Sequence, residues 1–500
     1  MFKGPITSGE EYIKSLQGRK LKVYLFGEII ENIVDHPVIR PSINAMAKTF
    51  DLANSDENLA TVYSSLSNQK INRFLHIAEK SEDLVFQNKM QRRLGQLTGT
   101  CFQRCVGMDA INALHSVTYE IDEKYHTKYH QKFLKFVEMA QKSNFVLGGA
   151  MTDVKGDRSK RPFEQDDSDM FVHVIKRDGK GVYISGAKAH QTGALNSHWL
   201  IVMPTMRMTE QDKDYTIVGA IPVDTPGVTY IYGRQSNDLR HLEGFPIDTG
   251  NHFFSGQEAL VIFENVFIPT DLIFMNGEYE FATMLVDRFT NYHRRSYVCK
   301  SGVSDVLIGA AATIADYNGV SNASHIRDKL VEMTHLNETI YATGIASSYQ
   351  SYKMKSGVWM NDDMLANVCK QNVTRFPYEL GRLAQDLAGG LMVTLPSEKD
   401  LKHDELGPLL DKYLKGKNEI STEDRVRILR LIENMTLGRN AVGYLTESMH
   451  GAGSPQAQRI NIYRLMQIEF KKNLAKYLAG IDISEKELSR FENFYERVFS

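Results

Sequence analysis

The chain has 500 residues, 42% hydrophobic and 24% charged, a soluble globular composition long enough for two or more domains. Lys plus Arg number 59 against 61 Asp plus Glu, and a net charge of -2 gives no general field for nucleic acid or an anionic membrane. Four cysteines are too few for a disulfide framework, so in a reducing compartment a close pair points to metal binding or catalysis.

The N-terminal M-F-K-G-P-I-T-S-G-E-E-Y lacks the continuous apolar segment of a signal peptide. The longest weakly polar run, V-L-I-G-A-A-A-T-I-A at 306–315, is about half a membrane span. A cytoplasmic protein with no membrane partner is expected. From Ser8 to about Lys142 apolar residues recur at spacings of three and four, which predicts a helical region. From Phe145 to Pro269 the texture changes to short β-branched and aromatic runs such as F-V-H-V-I-K, G-V-Y-I-S-G-A-K-A and A-L-V-I-F-E-N-V-F-I-P, bounded by Gly, Asp, Asn and Pro. After Thr270 the helical period returns, with long helices predicted at 301–317, 323–350, 363–390 and 423–445, and with a polar surface excursion at 395–422. The expected domains are therefore 1–144 helical, 145–275 β and 276–500 a helical bundle. No G-x-G-x-x-G follows a strand, since G-A-G-S-P-Q at 451 lacks the third glycine, and no P-loop occurs.

The run Q-R-R-L-G-Q-L-T-G-T-C-F-Q-R-C-V-G-M-D-A reads as helix, and a spacing of four predicts Cys101 and Cys105 on one face about one turn apart. Two thiolates so placed can share a metal or a cluster, while two small buried hydrophobes are the ordinary alternative. Cys299 lies in R-F-T-N-Y-H-R-R-S-Y-V-C-K-S-G, which gathers His293, Tyr297, Cys299 and Lys300 into one short segment, whereas Cys369 is assigned to packing. Three Cys and one His would complete a four-ligand site suited to zinc or an iron-sulfur cluster.

The motifs M-Q-R-R-L-G-Q-L-T-G-T-C-F-Q-R-C-V-G-M-D-A, M-T-D-V-K-G-D-R, G-A-K-A-H-Q-T-G-A-L-N-S-H, G-Q-E-A-L-V-I-F-E-N-V-F-I-P and T-E-S-M-H-G-A-G-S-P-Q-A-Q-R resemble the 4-hydroxybutyryl-CoA dehydratase family, and the likeness runs from about Tyr12 to about Gly480. The resemblance implies an acyl-CoA dehydrogenase-like α+β fold with an N-terminal helical domain, a middle β-barrel and a C-terminal helical bundle, assembled as a homotetramer. It implies FAD and a 4Fe-4S cluster on Cys101, Cys105, His293 and Cys299. The implied reaction removes water from 4-hydroxybutyryl-CoA to give crotonyl-CoA, and the same site isomerises vinylacetyl-CoA. A base takes the C2 proton, FAD accepts one electron, the resulting radical acidifies C3, and hydroxide leaves from C4.

In these terms His293 is a labile cluster ligand and a base, Glu447 a second acid or base, and Glu258 a further polar group near substrate. Tyr297 and Lys300 flank flavin and cluster, and Thr192 meets the flavin. The resemblance also assigns Met151, Thr152, Asp153, His190, Gln191 and Thr192 to the isoalloxazine site. It puts Asp386, Gly389 and Gly390, from a neighbouring subunit, near the adenine end, though the two glycines are also an ordinary helix C-cap. Arg92 and Gln103 are candidates to meet CoA or cluster. One departure stands out: the family pattern has a Gly pair and six residues between His and Cys, where this chain has Val298 and five. On an ideal helix His293 and Cys299 then lie about 120° apart, unfavourable for joint ligation. The alternatives are a flavin-dependent aromatic monooxygenase large component, which would lack the cysteines, an isomerase-only relative with an impaired cluster, and a non-catalytic Cys3His zinc protein.

Overall fold

The computed structural model describes residues 4–481 and 484, so residues 1–3 and the rest of the expected C-terminal domain lie outside the described residues. Strands β1 (Lys22–Leu25), β2 (Glu28–Ile29), β3 (Thr61–Ser64) and β4 (Gln69–Asn72) fall within the segment whose periodicity predicts a mostly helical region. The middle segment supplies β5 (Leu147–Ala150), β6 (His173–Arg177), β7 (Gly181–Thr192), β8 (Trp199–Val202), β9 (Ile217–Pro222), β10 (Val228–Tyr232), β11 (Glu258–Pro269) and β12 (Ile273–Asn276).

These strands form a six-stranded sheet in the order β2-β1-β10-β11-β7-β6 and a four-stranded sheet in the order β12-β9-β8-β5, with β3-β4 a separate hairpin. β1 joins β10 in parallel, so the N-terminal region is stitched into the middle sheet rather than standing apart from it. The expected closed barrel does not form among the described residues: the sheets end on β2, β6, β12 and β5, and are linked at one corner by the bridge Asp153–Lys188. The reason lies in the alternation. Val182, Ile184, Tyr230, Val261 and Phe263 of one sheet face Leu200, Val202, Ile217 and Ile221 of the other in one buried core, a face-to-face packing that needs no closure.

The four-stranded sheet is backed by Phe133, Phe136 and Val137 of the helix Tyr129–Ser143, packed on Phe274, Met203 and Val218. The C-terminal region is helical, with two of the predicted helices interrupted. Asp363–Val373 stops before Arg375 and Phe376–Ala388 starts with Pro377 in its first turn, where the missing N–H costs nothing. Thr422–Thr436 likewise ends before Gly438, and a single π-helical turn follows at Val442–Thr446. The excursion 395–422 carries two short helices, Glu398–Leu401 and Leu406–Tyr413. Gly389 ends its helix with φ +76.

The helix Cys299–Tyr317 crosses the helix Ser81–Thr98 at backbone contact. A Cβ on Gly302 would lie 1.9 Å from the Arg92 carbonyl oxygen, and one on Gly95 2.5 Å from that of Cys299. Because both obstacles are backbone, neither can swing aside. Gly302→Ala is expected to lower stability by about 1–3 kcal/mol through forced separation of the two helices, measured as a fall in the thermal unfolding midpoint, whereas Gly309→Ala, with open space around its Cβ, should leave the midpoint unchanged or slightly higher.

Candidate functional site

The helix Ser81–Thr98 stops where Gly99 turns left-handed at φ +60, and Gln103 is left-handed too at φ +65. The expected continuous helix through both cysteines is thereby broken. Cys101 lies in the connecting loop, and Cys105 is the first residue of the next helix, Cys105–Tyr125. Gln103 is held by its side chain, whose Nε2 donates to the carbonyls of Ser42 at 2.9 Å and Ser255 at 3.2 Å. Cys299 is also the first residue of its helix. The helix Cys105–Tyr125 begins after a loop, so its positive dipole end lies beside Cys105, the polarity that favours thiolates and other anions, whereas the first N–H groups of the Cys299 helix are taken up by the preceding turn.

All three of these sulfurs line one small cavity of about 30 Å³ with His293, Tyr297, Lys300, Thr192 and Glu447. The six-residue spacing from His293 to Cys299 is reconciled by a local tightening. Past Arg294 the backbone bonds shorten to three-residue steps: Tyr297 N–H to Arg294 O, Val298 N–H to Arg295 O, Lys300 N–H to Tyr297 O and Ser301 N–H to Val298 O, at 2.9 to 3.4 Å. A turn of 3.0 residues advances about 120° per residue, so the overwound stretch recovers part of the rotation that an α-helix would leave outstanding. Val298 packs with Ile340 and Cys369, which confirms the packing role of the fourth cysteine.

Charge is strongly organised here. Lys300 Nζ reaches Glu447 Oε2 at 2.5 Å and the Gly443 carbonyl at 2.5 Å. Thr192 Oγ1 donates to Glu258 Oε1 at 2.7 Å and lies 3.4 Å from Glu447 Oε1, and the Cys101 thiol lies 3.8 Å from the same oxygen. Burial, with the neighbouring Glu447 charge, pushes the Glu258 carboxyl well above the usual range, so it holds a proton. Burial alone would lower Lys300, but Glu447 and the thiols outweigh it and keep the ammonium charged. Cys105 donates to Cys299, which raises the first thiol and lowers the second. Burial raises Cys101 and Tyr297.

Asp109, one turn beyond Cys105, was not singled out by the sequence motifs. Its Oδ2 accepts from His293 Nδ1 at 2.8 Å and its Oδ1 from Ser296 at 2.9 Å, with Arg295 at 3.7 Å. An imidazole held through Nδ1–H has Nε2 free for the cavity, as a ligand or as a base. The i, i+4 relation to a metal-type cysteine was the available signal.

Among the described residues no three His, Cys, Asp or Glu groups converge as a single ion requires. A cluster binds each ligand to a different iron and so accepts a wider cage of the same donors; three sulfurs and one imidazole around one cavity fit it.

Of the flavin candidates, only Thr192 lines the cavity. Met151 and Thr152 follow β5 and are clamped to Gln191, whose Oε1 accepts from Met151 N–H at 2.8 Å and whose Nε2 donates to the Thr152 carbonyl at 3.0 Å. Asp153 turns inward to Lys188 and to Thr205 N–H at 3.0 Å, making it a clasp between the sheets. His190 is exposed with φ +36. Asp386, Gly389 and Gly390 are exposed and none lines the cavity, Asp386 pairing with Lys329 at 2.7 Å. Arg92 is committed to Asp305 at 3.0 Å and to Glu338.

Two family models match, 4-hydroxyphenylacetate 3-hydroxylase N terminal over residues 8–275 and its C terminal counterpart over 282–480. A curated relative, 4-hydroxybutyryl-CoA dehydratase/vinylacetyl-CoA-Δ-isomerase of Clostridium aminobutyricum, is 54% identical over 95% of this chain and 100% of its own. The chain belongs to this dehydratase family. The solved oxygen-tolerant archaeal 4-hydroxybutyryl-CoA dehydratase of N. maritimus is 70% identical, covers 96% of each chain and superposes with a TM-score of 0.95. The wider fold extends to the oxygenase component of 4-hydroxyphenylacetate 3-monooxygenase complexed with FAD and 4-hydroxyphenylacetate, at 21% identity, 95% and 98% coverage and a TM-score of 0.83. The chain thus combines a fold shared with that oxygenase component and a thiol-lined cavity.

Asp109 neutralises Arg295, which is fully buried, as well as holding His293. Removing one partner of a buried pair costs about 3–5 kcal/mol. Asp109→Ala is therefore expected to lower the unfolding midpoint far more than His293→Ala; equal midpoints would mean that Asp109 serves the histidine alone.

Proposed function

We propose that this protein dehydrates 4-hydroxybutyryl-CoA to crotonyl-CoA and isomerises vinylacetyl-CoA, as a cytoplasmic homotetramer containing FAD and a 4Fe-4S cluster on Cys101, Cys105, His293 and Cys299. The observation that carries this is the convergence of three thiols, an imidazole, a carboxylate and an ammonium on one small cavity, with the Glu258 carboxyl bound behind Thr192. When bound, FAD supplies one-electron chemistry and the cluster a Lewis-acidic iron. The candidate flavin residues are Met151, Thr152, Asp153, His190, Gln191 and Thr192, with Asp386, Gly389 and Gly390 offered to a neighbouring copy.

The chain's own groups divide the proton work. Only the C2 proton of the substrate is acidified by the thioester, so a base must first act there, and His293 Nε2 and Glu447 are the groups available. Glu447 is ion-paired with Lys300 while Glu258 keeps a proton, an environment that separates two carboxyl groups into a base and an acid. Tyr297, its hydroxyl 3.3 Å from the Glu447 carbonyl, and Lys300 line the cavity beside Glu447 and hold it in place. The isomerisation needs only the proton transfers, and the dehydration additionally needs departure of hydroxide.

Two features support the tetramer. The flavin candidates Asp386, Gly389 and Gly390 are exposed and do not line the cavity of their own chain, and the helix Ile468–Leu478 and its neighbour expose Tyr463, Tyr477 and Leu478, apolar surface that a second copy would cover.

Anaerobically purified protein is expected to hold about four irons and four sulfides per chain together with FAD, and to convert both CoA esters. Cys299→Ser should lose iron and dehydration first. Glu447→Gln should lower kcat for both reactions by about 100-fold or more with cofactor content intact. Flavin without iron in the wild-type protein would overturn the dehydratase assignment.

A further inference from the structure

Glu447 stands at an unusual piece of backbone. The π-helical turn Val442–Thr446 delivers it to a four-residue helix, Glu447–His450, which ends at Gly451. A π turn leaves carbonyls out of the ordinary i→i+4 ladder, and a helix this short has most of its carbonyls without helical partners. Side chains from elsewhere reach this segment. Lys300 Nζ binds the Gly443 carbonyl, Lys370 Nζ reaches the Ser448 carbonyl at 2.5 Å, the Tyr297 hydroxyl joins the Gly451 N–H on the Glu447 carbonyl, and Arg294 Nε reaches the carbonyl of Ala452, just beyond the helix, at 3.1 Å.

Lys370 is the member of this set that nothing in the reaction explains. It sits in the helix Asp363–Val373, next to the packing residue Cys369, and its side chain is fully buried. Among the described residues it has no carboxylate partner. Its ammonium lies 4.3 Å from the centre of the Tyr297 ring, while Lys300 lies 5.5 Å from the same ring. Tyr297 is thus held between two lysines, and its hydroxyl sits where Gly451 leaves no room for a side chain: a Cβ there would be 1.5 Å away. Burial pushes the Lys370 ammonium down to about 7, a cost that a methionine of similar shape would avoid. A buried lysine retained without a counter-ion implies that its two contacts are worth keeping.

We propose that Lys370 is a positioning residue: by holding the Ser448 carbonyl and the Tyr297 ring together, it fixes the π turn that aims Glu447 into the cavity. It touches neither the cavity nor the reacting atoms and acts through Glu447 and Tyr297. This rests on the acid-base role given to Glu447 above.

The test compares Lys370→Met, Glu447→Gln and the double variant in the holoenzyme, with vinylacetyl-CoA isomerisation and backbone amide exchange as readouts. Lys370→Met is expected to lower kcat about 10- to 100-fold with KM within about threefold, the scale of a misplaced catalytic group. Amides of 443–451 should exchange at least about tenfold faster while those of 303–317 are unchanged. The double variant should be no slower than Glu447→Gln alone, because the lysine acts through a group already removed. Multiplying losses in the double variant, or unchanged exchange at 443–451, would overturn the proposal. If Lys370→Met does not fold, Lys370→Leu, which likewise removes the donor to the Ser448 carbonyl, replaces it under the same criteria. Should the wild-type protein turn over neither CoA ester, the proposed reaction fails, and the exchange measurement alone then decides whether Lys370 holds the turn.

Discussion

Two helices cross at a distance that only glycine permits, and the site is built on that crossing. With Gly95 against the carbonyl of Cys299 and Gly302 against that of Arg92, the helices Ser81–Thr98 and Cys299–Tyr317 are locked in both separation and register. The lock fixes where the second helix begins, and therefore where Cys299 and Lys300 stand relative to the loop that carries Cys101. A sulfur at the start of a helix moves with the whole helix, so a rigid crossing is a more accurate support than a loop would be.

Around that support the chain buries an excess of positive charge. Lys300, Lys370 and Arg295 are buried around the cavity, and the N-terminus of the helix Cys105–Tyr125 adds its partial charge. Glu447, Asp109 and the thiols answer only part of it. In a protein interior such an imbalance is costly unless anionic matter fills the space. Thiolates, an anionic cluster and the negative charge that develops on a thioester enolate would each supply it. The electrostatics and the proposed ligand set are therefore compatible with one anionic occupant.

Much of this was legible in residue order. His293, Tyr297, Cys299 and Lys300 were recognisable as one reactive segment because covalent neighbours on a helix stay neighbours in space. The strand runs from 171 to 269 were legible because alternation is a local property. Other features were not. β1 was hidden inside a segment with helical spacing because its four residues are strand only by pairing with β10. The barrel was expected and two open sheets appeared, since closure depends on which edges meet. The helix through Cys101 and Cys105 failed at Gly99 and Gln103, where a left-handed glycine and a glutamine anchored to distant carbonyls outweigh apolar periodicity.

By itself the sequence determined the inventory: three thiols, an imidazole, the acid-base groups, and the order of helical, β and helical segments. Tertiary structure decided their use. Spacing alone set His293 and Cys299 at an awkward angle, and only the packed backbone, tightened to three-residue steps beside Val298, turned them toward one cavity. Asp109 and Lys370 carried no motif, because their importance lies in what faces them across the fold: His293 and Arg295 for one, the Ser448 carbonyl and the Tyr297 ring for the other. Chemical identity is written residue by residue, whereas distance between remote residues exists only after the chain has packed.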